Sequence, residues 1–278
     1  MRARRELPHC LTATGAARTQ CTPQRLKSVL NPVRRKPRAF RHPPTATRAC
    51  LGECFMAIVH PRDDRRRCYA LPLLIVLLTV ACGVALTHYG APRMDEALLL
   101  WFRDREHGAL IAGPAWVTSW WLAASGFGDV LPRVGIAVLS VLALVWLHRW
   151  RAAVWLAGVL LSGMLLSSAI KQWVARPRPQ LVAHLDQVSS ASFPSGHALN
   201  STLFYLAIAL LLAPLLRQRG ARFALYGAAA GLSVLVGVAR IALGVHYPSD
   251  VIASWAISGA WLWLWFAAAK HHWPNALR

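Results

Sequence analysis

From Tyr69 onward the chain is a succession of apolar runs of roughly 17 to 22 residues, the length that carries an α-helix across the hydrocarbon core of a bilayer. Six such spans are expected, at about 69–88, 129–147, 152–170, 198–215, 222–239 and 250–269. Composition agrees. Charged residues make up 15% of the chain, against about a quarter in soluble domains, and hydrophobic residues 56%, with 13 tryptophans. The expected class is an all-α integral membrane protein, a bundle of six transmembrane helices. Residues 89–128, with "MDEALLLWFRDREHG" and "PAWVTSWWLAAS", mix charge with tryptophan, which suits an amphipathic helix lying at the interface between spans 1 and 2. Gly113 and Pro114 argue against a seventh span there.

Basic residues in the short connections set the orientation. With six spans, "RDDRRR" before the first, "HRWR" at 148–151, "RQRGAR" at 217–222 and "KHH" at 270–272 fall on one side, the cytoplasmic one. Residues 89–128, 171–197 and 240–249 then share the outer face, so Lys171, Arg178, His197, Arg240 and His246 can converge although they lie up to 75 positions apart.

The net charge of +20 is concentrated at the start: residues 1–68 hold 16 of the 31 Lys and Arg but four of the 11 acidic residues. That segment is Arg- and Pro-rich without hydrophobic periodicity, and is read as a disordered basic extension. "MAIVHPRDDRRR" has the form of a short cytoplasmic lead-in, which makes Met56 an alternative start. The extension has neither the interleaved aromatics nor the module of a nucleic-acid binder, so no nucleic-acid partner is expected. Residues 271–278 form a short cytoplasmic tail. All six cysteines fall within the first 82 residues and lack metal-ligand spacing, so they are treated as incidental.

Three stretches carry the outward polar groups. "KQWVARPRP" (171–179) ends the third span, where Pro177 and Pro179 stop the helix. "SFPSGHALNS" (192–201) opens the fourth, with Ser195 as N-cap and the N–H groups of Gly196 and His197 at a helix start that suits phosphate. "ARIALGVHYPSD" (239–250) places Arg240, His246 and Asp250 around the break at Pro248. Singly, each charge reads as an interfacial anchor. Together they supply guanidinium groups, an ammonium, two histidines and a carboxylate, which is what phosphoryl transfer asks for: positive donors around three equatorial oxygens, a nucleophile and a proton donor. Two histidines and one carboxylate in separate roles leave too few ligands for a metal cluster, and no cofactor is expected.

The order Lys171-x6-Arg178-Pro179, Pro194-Ser195-Gly196-His197, Arg240-x5-His246-x3-Asp250 resembles the type 2 phosphatidic acid phosphatase superfamily, in its membrane-integral branch of lipid phosphate phosphatases. The resemblance implies that His246 attacks phosphorus to give a phosphohistidine, that Asp250 holds the other ring nitrogen of His246, and that His197 protonates the leaving oxygen. It also makes Lys171, Arg178, Ser195, Gly196 and Arg240 the phosphate-binding set. Ala239 departs from the family, which usually has serine there. Undecaprenyl diphosphate, phosphatidylglycerophosphate and phosphatidic acid are all compatible substrates, and a bacterial inner membrane with the site facing the periplasm or exterior is the expected location. A lipid phosphotransferase using the same residues stays open as an alternative. A transporter fits less well, because the spans carry almost no polar residues. His184 and Asp186 receive no role, and the oligomeric state is left open.

Overall fold

The computed structural model describes residues 65–104 and 110–273. Of the basic extension expected over 1–68, residues 1–64 lie outside them, as does the expected tail from 274; Arg65–Cys68 and His271–His272 belong to helices rather than to the extension and tail. The described residues form helices and one isolated bridge, Arg103 to Ile111. In chain order the helices are α1 (Arg65–Tyr89), α2 (Arg93–Trp101), α3 (Ala115–Gly126), α4 (Val130–Trp146), α5 (Trp150–Val174), α6 (Gly196–Leu212), α7 (Arg219–Ala242) and α8 (Pro248–His272), with a 3-10 turn at Ala213–Leu215 after α6.

Six stretches are long and apolar enough to cross a membrane, as the sequence leads one to expect. The expected spans match them to within a few residues: α1, α5, α7 and α8 run further at both ends, α6 starts two residues earlier and gives way to the 3-10 turn, and α4 is one residue shorter at each end. The region between spans 1 and 2 folds as two short helices rather than one. Helix α2 is one-sided: Asp95 and Leu99 are buried while Met94, Leu98, Leu100 and Trp101 are exposed. Helix α3 is apolar and continues the 115–146 stretch, but it is separated from α4 by a turn at Phe127–Asp129.

Helix α6 packs against α5, α7 and α8, and α8 also packs on α1. The core between them holds Trp155, Leu156, Val159, Leu199, Leu203 and Ile257. The outward faces of α1 and α4 expose Leu71, Leu74, Leu77, Leu139 and Leu142, surface that suits lipid tails rather than water. In that setting apolar burial does little to join helices, so small residues and interhelical hydrogen bonds carry the association. Ser162 of α5 accepts from both Trp261 Nε1 (2.9 Å) and Trp265 Nε1 (3.0 Å) of α8. Ser258 Oγ donates to Leu199 O at 2.9 Å, and Ser254 Oγ to Ser195 O at 3.1 Å. At Gly163 an added Cβ would sit 2.2 Å from Leu203 Cδ1, and at Gly237 2.6 Å from the Trp255 ring and 2.7 Å from Val251.

The consequence for the site is topological. The C-terminal ends of α5 and α7 and the N-terminal ends of α6 and α8 gather at one end of the bundle.

Gly237→Val should push α7 from α8 and cost about 1–3 kcal/mol. The check is a lowered melting temperature in detergent. Gly227→Val, at a position with open space around it, should leave the melting temperature nearly unchanged.

Candidate active site

Helix α5 ends because Ala175 adopts a left-handed conformation (φ 50°) and Pro177 follows. The reversal turns Arg176 into the bundle, where it is 2% exposed, and leaves Arg178 half-buried. One turn earlier, Lys171 Nζ donates to Ala191 O at 2.6 Å and lies 3.3 Å from Ser190 Oγ. The end of α5 is thereby tied to the segment that leads into α6.

Arg178 reaches across to the α7–α8 connection. Its Nε donates to Ser190 O (2.8 Å) and one terminal nitrogen to Val245 O (2.7 Å). The same nitrogen lies 3.4 Å from His246 Nε2. A guanidinium has no acceptor, so this contact assigns the lone pair to Nε2 and the proton to Nδ1. The sequence reading has Asp250 holding Nδ1 directly. The observed Nδ1 to Oδ2 separation is 3.7 Å, beyond a hydrogen bond. Ser192 stands between them: its Oγ is 3.4 Å from Nδ1 and donates to Asp250 Oδ2 at 2.5 Å. Asp250 is fully buried, and its Oδ2 also accepts from the N–H of Tyr247 at 3.0 Å, closing a capping box at the start of α8.

Ser195 is the N-cap of α6, as expected, with its side chain accepting from the N–H of Ala198 at 3.5 Å. Lys171 passes this helix start in ordinary van der Waals contact, its Cε 3.5 Å from where a Cβ on Gly196 would stand. His197, on the next position, has Nε2 3.0 Å from Asp129 Oδ1 at the α3–α4 turn. Arg240, 1% exposed at the end of α7, donates to Ser125 Oγ at 2.7 Å and to Asp186 Oδ2, while its Nε has no partner. Asp186 is therefore the ion-pair partner of Arg240. His184 Nε2 lies 2.7 Å from Pro179 O, within the same connecting segment.

The structure brings all eight sequence-selected residues to one end of the bundle. His246, Asp250, Arg178, Lys171, Ser195 and Gly196 form the centre, with His197 and Arg240 anchored at the side of α3. Sequence reasoning passed over Arg176, Ser192, Asp95, Ser249, Ser125 and Asp129. Two of these carried a signal: Asp129 is one of only three acidic residues after position 110, and Arg176 repeats the Arg-Pro step of Arg178.

Electrostatically the centre favours an anion. Burial lowers the pKa of Arg178 to about 10, and the neighbouring charge of Arg240 pushes the same way. Burial lowers His246 to about 3; Asp250 opposes the shift, while Arg178 and Arg240 add to it. The imidazole is thus neutral across the physiological range, the state in which its Nε2 lone pair is available.

A PAP2 superfamily model matches residues 152–274. Phosphatidylglycerophosphatase B of Bacillus subtilis is 38% identical over 91 residues, 32% of this chain and 43% of the relative. Lipid A 1-phosphatase of Rhizobium johnstonii is 38% identical over 98 residues, 31% of this chain and 36% of the relative. The chain thus spans less than half of the length of these curated relatives. Among solved structures, the transmembrane PAP2-type phosphatidylglycerolphosphate phosphatase of Bacillus subtilis superposes with a TM-score of 0.61 at 25% identity. That match covers 72% of this chain and 96% of that one. The resemblance read from the three motifs is borne out.

The lowered pKa of His246 has a signed consequence for stability. The unfolded chain binds a proton near 6.5 that the folded chain refuses until about 3, so this contribution is full above 6.5 and is lost as pH falls below it. Melting temperature in detergent should fall between pH 7 and 4, with a shallower slope in His246→Asn.

Proposed function

We propose that this chain, whose residues 152–274 belong to the PAP2 superfamily, is a membrane phosphatase that hydrolyses a lipid phosphate or diphosphate through a phosphohistidine at His246. The observation that carries this reading is the pairing of His246 with Arg178. A cation 3.4 Å from Nε2 leaves the ring neutral, with its lone pair beside a site ringed by positive charge. Such a ring draws in a phosphoryl group and leaves the nucleophile unprotonated.

In the first step Nε2 attacks phosphorus, the P–N bond forms and the bond to the leaving oxygen breaks. His197 supplies the proton that the departing oxygen takes up. Charge on the three equatorial oxygens is met by Lys171, Arg178 and Arg240 and by the N–H groups at the start of α6, where Ser195 and Gly196 sit. Nδ1–H stays hydrogen-bonded toward Ser192 and, through it, Asp250, which stabilises the ring as it becomes cationic. In the second step water gives a proton to His197, attacks phosphorus and breaks the P–N bond, releasing inorganic phosphate.

Asp186 pairs with Arg240, and Asp129 with His197. Both carboxylates are part-exposed, at 30% and 56%, so each can yield as a phosphate arrives. The site lies at the end of apolar helices, which suits a substrate whose tail stays in the membrane while its phosphate is presented at the surface. Phosphatidylglycerophosphate, lipid A bearing a 1-phosphate, phosphatidic acid and undecaprenyl diphosphate all have this form. The first two follow the names of the relatives. The basic connections at the opposite end of the bundle support a site facing outward, and the bacterial relatives suit an inner membrane.

Purified protein in detergent should release phosphate from one or more of these four lipids, and a chelator should have little effect. His246→Ala and His197→Ala should each lower the rate by about 1000-fold or more while still folding, as a cooperative melting transition in detergent would show. Full activity in folded His246→Ala would contradict the reading. Orthovanadate, a mimic of the pentacoordinate phosphorus, should raise the melting temperature of the parent and raise it less in Arg178→Gln.

A further inference from the structure

Arg176 is a buried cation that the chemistry above does not use, and its contacts lead to the nucleophile from behind. One terminal nitrogen donates to Asp250 Oδ1 at 2.6 Å and to Ser249 Oγ at 2.8 Å. The other donates to Asp95 Oδ2 at 3.2 Å, and the guanidinium carbon lies 4.3 Å from the centre of the Tyr247 ring. Asp95, on α2, is itself locked: Oδ1 accepts from the N–H of Ser249 at 2.9 Å and Oδ2 from Ser249 Oγ at 2.5 Å. Arg176, Asp95 and Asp250 are all nearly inaccessible, at 2%, 3% and 0% exposure.

A snorkelling anchor would extend its guanidinium toward headgroups and water. Arg176 does the reverse. The left-handed turn at Ala175, unfavourable for a residue with a Cβ, directs it inward onto two carboxylates. The effect on Asp250 is geometric. With Oδ1 fixed by Arg176, Oδ2 can point only toward Ser192 and the N–H of Tyr247, the side on which Nδ1 of His246 lies. Release Oδ1 and the carboxylate can rotate about its Cβ–Cγ bond, and the chain from Asp250 through Ser192 to Nδ1 loses its fixed end.

We infer that Arg176, held by Asp95, is a positioning residue for the nucleophile: the Asp95–Arg176–Asp250 chain fixes the carboxylate that orients His246 and ties this orientation to helix α2. The inference rests on His246 being the nucleophile. Asp95 is the distal member of the chain and touches neither His246 nor the phosphate-binding side chains. A loss of catalysis on changing it must therefore pass through Arg176 or Ser249.

The test uses the full chain in detergent with the lipid phosphate that the parent hydrolyses best, comparing Arg176→Gln, Asp95→Asn and Ser258→Ala. Ser258 is buried deeper in α8 and serves as a packing control. Arg176→Gln should lower kcat by about 100-fold, and Asp95→Asn by about tenfold, with KM within about twofold of the parent in both. Ser258→Ala should keep the parental kcat even where its melting temperature falls as far. Asp95→Glu, which restores the carboxylate, should recover most of the kcat lost in Asp95→Asn. Parental kcat in folded Arg176→Gln overturns the inference, as does a loss shared equally by Ser258→Ala. Should Arg176→Gln fail to fold, Asp95→Asn decides: unchanged kcat overturns the inference, while lowered kcat with held KM and rescue by Asp95→Glu supports it. Failure of the parental chemistry is distinguishable, because then the parent releases no phosphate or His246→Ala retains full activity.

Discussion

Asp250 is a carboxylate with no solvent exposure at the end of a membrane bundle, and such a group persists only when its charge and both oxygens are satisfied. The neighbourhood is organised around that demand. One oxygen meets Arg176 from the end of α5; the other meets Ser192 from the loop before α6 and the N–H of Tyr247 at the start of α8. Removing any one of these donors leaves a buried acceptor short, a deficit of about 1–3 kcal/mol before further rearrangement. Three chain segments distant in sequence are therefore pinned to one another by a single side chain. The pinned segments are the ones that carry Arg178, Gly196, His197 and His246.

The remaining features of the centre follow from this pinning. With the α7–α8 connection fixed, the carbonyl of Val245 is available to Arg178, and the adjacent ring of His246 is buried in the neutral state. With the start of α6 fixed, Lys171 can reach Ala191 O and pass Gly196 without a clash. Lys171, Arg178 and Arg240 are three cations confined to one end of an apolar bundle. The ion pair of Arg240 with a part-exposed Asp186 is weaker compensation than a phosphoryl group would provide. That excess of positive charge is suited to a phosphoryl group as counter-ion.

Much of this was legible in the sequence, for definite reasons. Span number and placement follow from run length, because bilayer thickness sets helix length, and all six expected spans correspond to apolar helical stretches. Scarce charge beyond position 110 and Pro177, Pro179, Pro194 and Pro248, which mark where helices stop and start, draw attention to three polar stretches, and the resemblance then picks the eight site residues from them. The relay was less legible. Ser192 looks like a loop serine until the distance from Asp250 to His246 proves too long for a direct bond. Arg176 lies two residues from Arg178, and the resemblance, through the spacing Lys-x6-Arg-Pro, singles out Arg178 while leaving Arg176 without a role. The left-handed turn at Ala175 shows that Arg176 faces inward. Asp95 sits in a mixed-charge stretch read as interfacial, and only the packing of α2 on α8 shows that one of its charges faces inward. The second span is expected to start at about 129, but the turn at Phe127–Asp129 and its role in delivering Asp129 to His197 depend on the fold.

Covalent chemistry at His246 is tested most directly by trapping the intermediate. Protein mixed with a lipid phosphate labelled at the transferable phosphorus would be quenched in alkali, where phosphohistidine survives, and the labelled peptide mapped. Label is expected on His246 during turnover and should be lost on mild acid treatment. Turnover with no label on His246, or label on a different side chain, would contradict this expectation.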